Sequence, residues 1–297
     1  MVQLIQLLVG GASLGSVYAL LALGFVVVFR ASGVVNFGHP ALLMIGAYVI
    51  ARLGLAHVSF PLALLGGVAA AALAALLVQR FLVTTMARSS VIAVGIMTIG
   101  VDLIAETEIT RRMGSDIPTM NDPWGARVIH VGALTIPQTR IAGLVLCMAL
   151  IGAFFAWFRF SSWGVAMRAV AEDPETASLM GVRRGAVSAL AWTVAGGLAA
   201  VAGLFITVFP TPGLQPATAA VALAAFPAAI VGGLDSTGGA IVGGLVVGMS
   251  EALAQGYESH LRFLGLGFSS VMPYVVMVAV LLIRPAGLFG TKELHRV

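Results

Sequence analysis

The sequence predicts an all-α, polytopic membrane protein with about eight to ten transmembrane or partly re-entrant helices. Of its 297 residues, 60% are hydrophobic and 9% are charged, whereas soluble domains contain about 45–50% apolar and about 25% charged residues. The mean hydropathy is +1.05. The apolar runs are about 16 to 26 residues long and rich in Ala, Leu, Val and Gly. These lengths indicate helices, because outer-membrane strands are about 10 residues of alternating polarity.

The residues that break the apolar runs divide the chain into nine candidate spans within one transmembrane domain, 1–297. In chain order they are 4–29, 40–55, 60–79, 90–106, 139–158, 186–209, 217–234, 240–257 and 268–283. The first run lacks the basic start of a cleavable signal peptide and is expected to remain as a span. The runs at 40–55, 217–234 and 268–283 are marginal in length, and we expect them to be tilted, broken or re-entrant.

Basic residues are unevenly distributed between the two sides of this nine-span arrangement. One side carries Arg30, Arg80, Arg88, Arg159, Arg168, Arg183, Arg184, Arg284, Lys292 and Arg296, and the other carries Arg52, Arg111, Arg112, Arg127, Arg140 and Arg262. Because cytoplasmic loops are richer in Lys and Arg, the first side is predicted to be cytoplasmic. The N-terminus is then outside and the C-terminus is cytoplasmic. Residues 107–138 form an external loop with strand-like content, and residues 160–185 form a cytoplasmic loop.

Small residues recur one helical turn apart in several spans. They are Gly11, Gly15 and Ala19; Gly196 and Ala200; Gly239 and Gly243; and Gly244 and Gly248. In lipid, small residues at this spacing let two helix backbones approach closely. We expect them to serve packing within one bundle in preference to a subunit interface.

Motifs of nucleotide hydrolysis and metal chemistry are missing from the sequence. It has no GxxxxGK[ST] phosphate loop and no HExxH, its single Cys excludes a CxxC pair, and its five His residues show no ligand spacing. These observations predict a chain that is not an enzyme and holds no cofactor or metal. If the protein moves a solute with the energy of ATP, the ATPase must be another chain.

The charged stretch at residues 168–181, RAVAEDPETASLMG, is predicted to contain a short helix with a cap at each end. Asp173 can cap the first turn, Pro174 suits the first helical position, and Glu175 lies at the positive helix end. Gly181 is expected to end the helix in a left-handed conformation. A helix this short is unstable alone in water, so we expect it to dock against a partner.

Asn36 and His39 lie where Gly33, Gly38 and Pro40 interrupt the helical pattern at a membrane boundary. Irregular backbone at that depth is tolerated where it is buried in protein or lines a cavity. The two side chains are therefore candidates for a substrate path. A plain interhelical turn, in which Asn36 caps backbone groups, is an equal alternative.

Two further carboxylates are candidates for function. Asp235 lies in a turn flanked by glycines and is expected to cap the segment that follows, on the cytoplasmic side, where it could form a second partner contact. Glu251 lies in the middle of an apolar run, and an intramembrane carboxylate is a functional candidate by default. It could face a polar cavity on a substrate path or hydrogen-bond a neighbouring helix.

Eight segments, taken together and in order, resemble the membrane permeases of branched-chain amino-acid ABC importers. They are SLGSVYALLALGFVVVFRASGVVNFGH near the start, then LLMIGAY, MTIG, GSD, GVAMRAVAEDPETASLMGV, GGLAAVAGL, VGGLDSTGGAIVGG and RPAGLFG. The resemblance covers nearly the whole chain. It implies a bacterial inner-membrane subunit that pairs with a second homologous permease. ATPase subunits would bind it from the cytoplasm, and a periplasmic or extracellular solute-binding protein would deliver the substrate.

The resemblance also implies that residues 160–185 contain the coupling loop, whose short helix enters a groove on the ATPase. The residues expected to carry this contact are Arg168, Glu172, Asp173, Pro174, Glu175, Ala177 and Gly181. One departure from the family concerns the residues after His39, where Pro40 and Ala41 replace the usual Gly-Glu. Cargo such as urea, short amides or other carboxylates therefore stays open beside amino acids. A stand-alone channel or secondary transporter is the alternative from another class.

Overall fold

The computed structural model describes residues 2–86, 90–132, 134–208, 212–260 and 267–291. Four of the basic residues used for the topology prediction, Arg88, Arg262, Lys292 and Arg296, lie outside these ranges. The described chain is a helical bundle with one small hairpin. Its elements are α1 (Val2–Ser32), α2 (His39–Leu55), α3 (Phe60–Leu77), α4 (Val91–Met113), β1 (Val128–Val131), β2 (Leu134–Pro137), α5 (Gln138–Phe160), α6 (Ser162–Glu172), α7 (Pro174–Leu179), α8 (Arg184–Val208), α9 (Thr218–Leu223), α10 (Ala225–Gly232), α11 (Thr237–Gly256) and α12 (Phe268–Ile283).

Every predicted span coincides with helix. Within the described ranges, five helices are long and apolar enough to cross a membrane: α1, α3 with its π-helical continuation to Val83, α5, α8 and α11. The three runs predicted to be marginal are the shorter apolar helices α2, α9–α10 and α12. The run at 217–234 is broken, because α9 ends at Leu223 and α10 begins at Ala225.

Helix α1 is the central element of the bundle. From Tyr18 to Val28 its residues are almost completely buried, and it packs against α5, α8, α10 and α11. A helix that is hydrophobic all round suits such a position, because every face meets protein. The mean hydropathy of this segment therefore reflects the protein core rather than contact with lipid.

Close backbone approach explains the small residues at helical spacing. A Cβ atom added at Gly244 of α11 would lie 2.3 Å from the backbone nitrogen of Ala19 in α1, and one at Gly248 would lie 2.3 Å from Cα of Gly15. Similarly, a Cβ atom at Gly196 would lie 2.5 Å from the carbonyl oxygen of Ala71. Packing within one bundle is thus confirmed for these glycines.

The predicted loop at 107–138 begins later than expected. Helix α4 continues to Met113 and ends at Gly114, which has φ +62°. Glu108 supports the extra turns, since it accepts hydrogen bonds from Arg111 at 2.8 Å and from Arg112 at 2.5 Å, the i+3 and i+4 neighbours that face it on a helix. Residues 107–113, which the prediction assigned to the loop, thus belong to α4.

The remainder of that loop folds back onto the bundle. Strands β1 and β2 pair antiparallel, with Val128 opposite Pro137. Trp124 lies between the rings of Phe60 at 5.5 Å and Phe205 at 5.7 Å. The predicted strand-like content is confirmed, and the loop packs against the first turn of α3 and the last turns of α8.

Candidate functional site

Helix α6 is fixed to the end of α5 by its own first turn. The Ser161 hydroxyl caps α6 by accepting a hydrogen bond from the backbone N–H of Gly164 at 3.0 Å. Gly164 lies so close to α5 that an added Cβ would be 1.7 Å from the Phe158 carbonyl oxygen. Only glycine fits this contact, so α6 leaves α5 at a sharp and defined angle.

Arg168 strengthens the same junction. Its guanidinium donates a hydrogen bond to the Phe158 carbonyl oxygen at 2.9 Å and lies 5.2 Å from the centre of the Phe158 ring. A cation beside the last carbonyl groups of a helix is favourable, because those groups carry partial negative charge. Arg168, predicted as an ATPase contact, thus also has a structural role within the chain.

Trp163 links α6 to both neighbouring spans. Its ring stacks on Trp157 of α5, with centroids 4.6 Å apart and an interplanar angle of 14°. Its indole N–H donates to the Val187 carbonyl oxygen of α8 at 3.4 Å. Helix α6 is therefore in direct contact with both α5 and α8. Sequence reasoning missed this residue, although a Trp beside a charged loop is a recognisable signal for an anchor.

The predicted N-terminal cap of the short helix is confirmed. The Asp173 carboxylate accepts hydrogen bonds from the backbone N–H groups of Glu175 at 2.9 Å and Thr176 at 3.1 Å, and from the Thr176 hydroxyl at 2.5 Å. The Thr176 hydroxyl, followed by the two N–H groups, holds the pKa of Asp173 below its ordinary value. Pro174 occupies the first helical position, as predicted.

The predicted C-terminal cap is confirmed as well. Gly181 has φ +87°, and its N–H donates to the Ser178 carbonyl oxygen at 3.0 Å, while the Val182 N–H donates to the Ala177 carbonyl oxygen at 3.0 Å. This pair of bonds is the Schellman motif, in which a left-handed residue satisfies the last carbonyl groups of a helix. Helix α7 is therefore capped at both ends.

The structure adds a helix that was not predicted, α6, which ends directly before the predicted short helix α7. Glu172 is the last residue of α6, and Asp173 adopts an extended conformation with φ −149° and ψ 101°. A residue before proline is pushed away from helical geometry by the proline ring, which explains the break before Pro174. Arg168 and Glu172 thus belong to α6, whereas Pro174, Glu175 and Ala177 belong to α7.

Helix α7 presents most of its surface to solvent. Ala177 is its buried residue, whereas the Leu179 and Met180 side chains are 87% and 81% exposed. Glu172 and Glu175 are also exposed. Two large apolar side chains are thus exposed at the tip of a capped helix, beside acidic residues. Sequence reasoning missed the apolar pair, whose signal is its position directly before the capping glycine.

The structure corrects the expectation for Asp235. Ser236 caps α11, since its hydroxyl accepts a hydrogen bond from the Gly239 N–H at 3.0 Å. The Asp235 carboxylate instead accepts hydrogen bonds from the backbone N–H of Thr291, at 2.8 Å, and from the Thr291 hydroxyl. Both residues can cap a helix, and packing of the segment after α12 against this turn decides between them. The partner-contact role of Asp235 stays a prediction.

Several of the predicted residues lie near Arg30, at one end of the bundle. Placed near the end of α1, it lies within electrostatic range of Asp235, Arg168 and Glu172. The turn before α11 and the end of α6 therefore lie at the same end of the molecule. This juxtaposition joins elements that are distant in sequence.

Asn36 and His39 are each 1% exposed and lie in the core. The Asn36 side-chain oxygen accepts a hydrogen bond from the Gly38 N–H at 3.0 Å, and the His39 ring lies 4.5 Å from the ring of Phe25. An added Cβ at Gly24 would be 2.6 Å from the His39 ring. Asn36 has the local geometry of the interhelical turn, and the substrate-path role of both residues stays a prediction.

Comparison with known proteins identifies the family. The family described as branched-chain amino acid transport system / permease component matches residues 7–282. The chain belongs to this family. The resemblance seen in the sequence is thereby confirmed.

Individual relatives align with the permease along its length. The high-affinity branched-chain amino acid transport system permease protein LivH of Salmonella typhimurium is 31% identical over 99% of this chain and 97% of its own. The corresponding BraD protein of Pseudomonas aeruginosa is 28% identical over 99% of this chain and 98% of its own. A solved structure, PsaBC from Streptococcus pneumoniae in complex with Fab, has 14% identity and a TM-score of 0.46 over 92% of this chain and 89% of that one.

One segment of α1 matches a hydrolase motif. Residues 11–15 of the permease, GASLG, fit GxSxG, which in hydrolases places the serine on a sharp turn between a strand and a helix. Here the five residues lie inside α1, and the Ser13 hydroxyl donates to the Arg140 carbonyl oxygen at 2.9 Å. The serine therefore lacks the exposed position that such a nucleophile requires.

Glu251 of the permease lines a cavity of about 180 Å³ and also bonds a neighbouring helix. The hydroxyl of buried Tyr18 in α1 donates a hydrogen bond to the Glu251 carboxylate at 2.8 Å. Glu251 therefore both faces a cavity and bonds a neighbouring helix, the two alternatives that the sequence left open. Arg140, in the first turn of α5, lines the same cavity. Sequence reasoning used Arg140 for topology alone and missed this position.

Proposed function

We propose that this permease is the membrane subunit of an ATP-binding-cassette importer for branched-chain or related amino acids. It forms the translocation path with a second homologous permease in the bacterial inner membrane. ATPase subunits bind it from the cytoplasm, and a solute-binding protein delivers the substrate from the opposite side. Family membership and the branched-chain amino acid transport named for its relatives support this proposal.

The single observation that carries the coupling role is the geometry of α6 and α7. Helix α7 is capped at both ends and exposes Leu179 and Met180, which suits insertion into a groove. Helix α6 is joined to α5 and α8 by Arg168 and Trp163. A rigid element attached to two spans moves as a unit, so ATP-driven closure of the ATPases shifts both spans together.

The proposed orientation places this end in the cytoplasm. Arg30, Arg159, Arg168 and Arg284 lie at or near the ends of α1, α5, α6 and α12, and an excess of basic residues marks the cytoplasmic side. The N-terminus and the β1–β2 hairpin are then outside, and the C-terminus is inside. Residues 160–185 form the coupling loop, and Asp235 is a second contact at the same end.

The test uses the complete transporter, produced with its ATPases, its second permease and its solute-binding protein in proteoliposomes. We expect ATP-dependent uptake of leucine. The double substitution Glu172→Lys and Glu175→Lys should abolish ATPase co-purification and uptake while leaving the melting temperature of the permease unchanged. Asp116→Lys is the matched control, because Asp116 is exposed in the loop after α4, remote in sequence from α6 and α7.

Two results would contradict the proposal. Uptake by the purified chain without any ATPase would favour a channel or secondary transporter. Normal ATPase binding and uptake in the double variant would show that α6 and α7 do not couple the two activities. Uptake of urea or an amide in place of leucine would keep the transporter class and correct the cargo.

A further inference from the structure

The cavity beside Glu251 contains an acidic and a basic side chain contributed by different helices. Glu251 comes from the last third of α11 and Arg140 from the first turn of α5. Both are half-buried. Charged groups are costly inside a membrane protein unless they meet opposite charge or line a polar space. The pair therefore defines a small space in which charges of both signs are presented.

The rest of the lining combines a large apolar surface with polar side chains, among them Gln215, Thr218 and Gln255. Leu14 and Val17 of α1, Phe205 and Ile206 of α8 and Val221 of α9 contribute hydrocarbon surface. The volume of about 180 Å³ corresponds to about six water molecules at about 30 Å³ each. Such a space suits one small organic molecule with an aliphatic part and is too small for a peptide.

We infer that this cavity binds one free α-amino acid with an aliphatic side chain, as the zwitterion, an inference that rests on the proposed function. Glu251 accepts hydrogen bonds from the ammonium group, and Arg140 donates to the carboxylate in the geometry that guanidinium groups favour. The aliphatic side chain lies against Val17, Phe205 and Ile206. A zwitterion adds no net charge and presents a group of opposite charge to each of the two side chains.

Neighbouring residues hold the two charged groups in position. The Tyr18 hydroxyl donates to the Glu251 carboxylate at 2.8 Å and orients its remaining oxygen. A Cβ atom added at Gly10 would be 2.2 Å from Nη1 of Arg140, so the absence of a side chain at Gly10 provides room for the guanidinium. The Ser13 hydroxyl bonds the Arg140 carbonyl oxygen at 2.9 Å and fixes the start of α5 against α1.

The site makes the permease itself selective. An amino acid released from the solute-binding protein must bind this second site through both its ammonium and its carboxylate group before it crosses the membrane. In the proposed orientation the cavity lies towards the external side, because it is formed by the N-terminal half of α1, the start of α5 and the end of α11. It is thus placed to receive the substrate on entry.

The test measures ligand binding to the transporter complex in nanodiscs without the solute-binding protein. The probes are leucine, Nα-acetyl-leucine, which lacks the ammonium group, and leucinamide, which lacks the carboxylate. We expect leucine to bind about tenfold or more tightly than either analogue, since each analogue loses one charge-assisted contact. Glu251→Gln should weaken leucine binding without weakening Nα-acetyl-leucine. Arg140→Gln should weaken leucine binding without weakening leucinamide.

Glu106→Gln is the matched control, because Glu106 lies in α4, which does not line this cavity. This variant should bind leucine like the wild type. Equal binding of all three probes, or leucine binding unchanged in both cavity variants, overturns the site. If a variant fails to fold, comparing the binding of the three probes to the wild type still tests whether the site recognises both charged groups of leucine. Leucine uptake by the complete transporter without leucine binding to the permease would overturn the site and leave the proposed function standing.

Discussion

Substituting Gly181 tests whether the left-handed cap holds α7 in the form that the ATPase recognises. Gly181 has φ +87°, and an added Cβ would meet no atom within 4 Å. Gly181→Ala therefore introduces no clash, and its cost is confined to the backbone. A residue other than glycine in the left-handed region costs about 1–2 kcal/mol.

This cost lowers the ratio of capped to uncapped α7 by a factor of about 5–30. The affinity of the permease for its ATPase should fall, by up to the same factor, because only the capped form presents Leu179 and Met180 together. The assay is a titration of ATPase into permease-containing nanodiscs, with half-saturation measured by light scattering or co-sedimentation. Gly181→Asn should lose less affinity than Gly181→Ala, since Asn tolerates the left-handed conformation better.

Gly185→Ala is the matched control. Gly185 lies in the first turn of α8, and an added Cβ there also meets no atom within 4 Å. Alanine is the better helix former, so this change should leave ATPase binding unaltered. Equal ATPase affinity for Gly181→Ala, Gly185→Ala and the wild type would refute the argument that the cap positions α7.

Three further outcomes are expected. Gly244→Ala should destabilise the permease by about 1–3 kcal/mol by overpacking α1 against α11, seen as a lower melting temperature in detergent, while Gly100→Ala, with open space around its Cβ, should not. The Asp173 cap has a lowered native pKa, so its contribution is present above the ordinary pKa of 3.8 and is lost as the pH falls through the lower native value. Titration of Asp173 should therefore not change ATPase binding between pH 5 and 8. A loss of ATPase binding within this range that is absent from the Asp173→Asn variant would contradict this expectation. Arg168→Gln should reduce leucine uptake per ATP hydrolysed, because α6 is less firmly held to Phe158; an unchanged ratio would argue against a rigid junction.

Local sequence was sufficient to predict the helices and both caps of α7. The bonds that Asp173 and Gly181 make join residues within five positions of each other, so their chemistry is visible in a short stretch of chain. Pro174 also gave a local signal for the start of α7, whereas α6, the helix before it, was not predicted. The small residues of α1 and α11 were likewise informative, because their spacing reflects the packing surface of a helix.

Tertiary structure alone decided the roles of the isolated polar residues. Whether Asp235 or Ser236 caps α11 depends on Thr291, and burial of Asn36 and His39 depends on the helices around them. The cavity joins Tyr18, Arg140 and Glu251 from three helices, and no periodicity relates positions so far apart. Capping is settled by bonds along one stretch of backbone, whereas a cavity exists only after separate helices have packed.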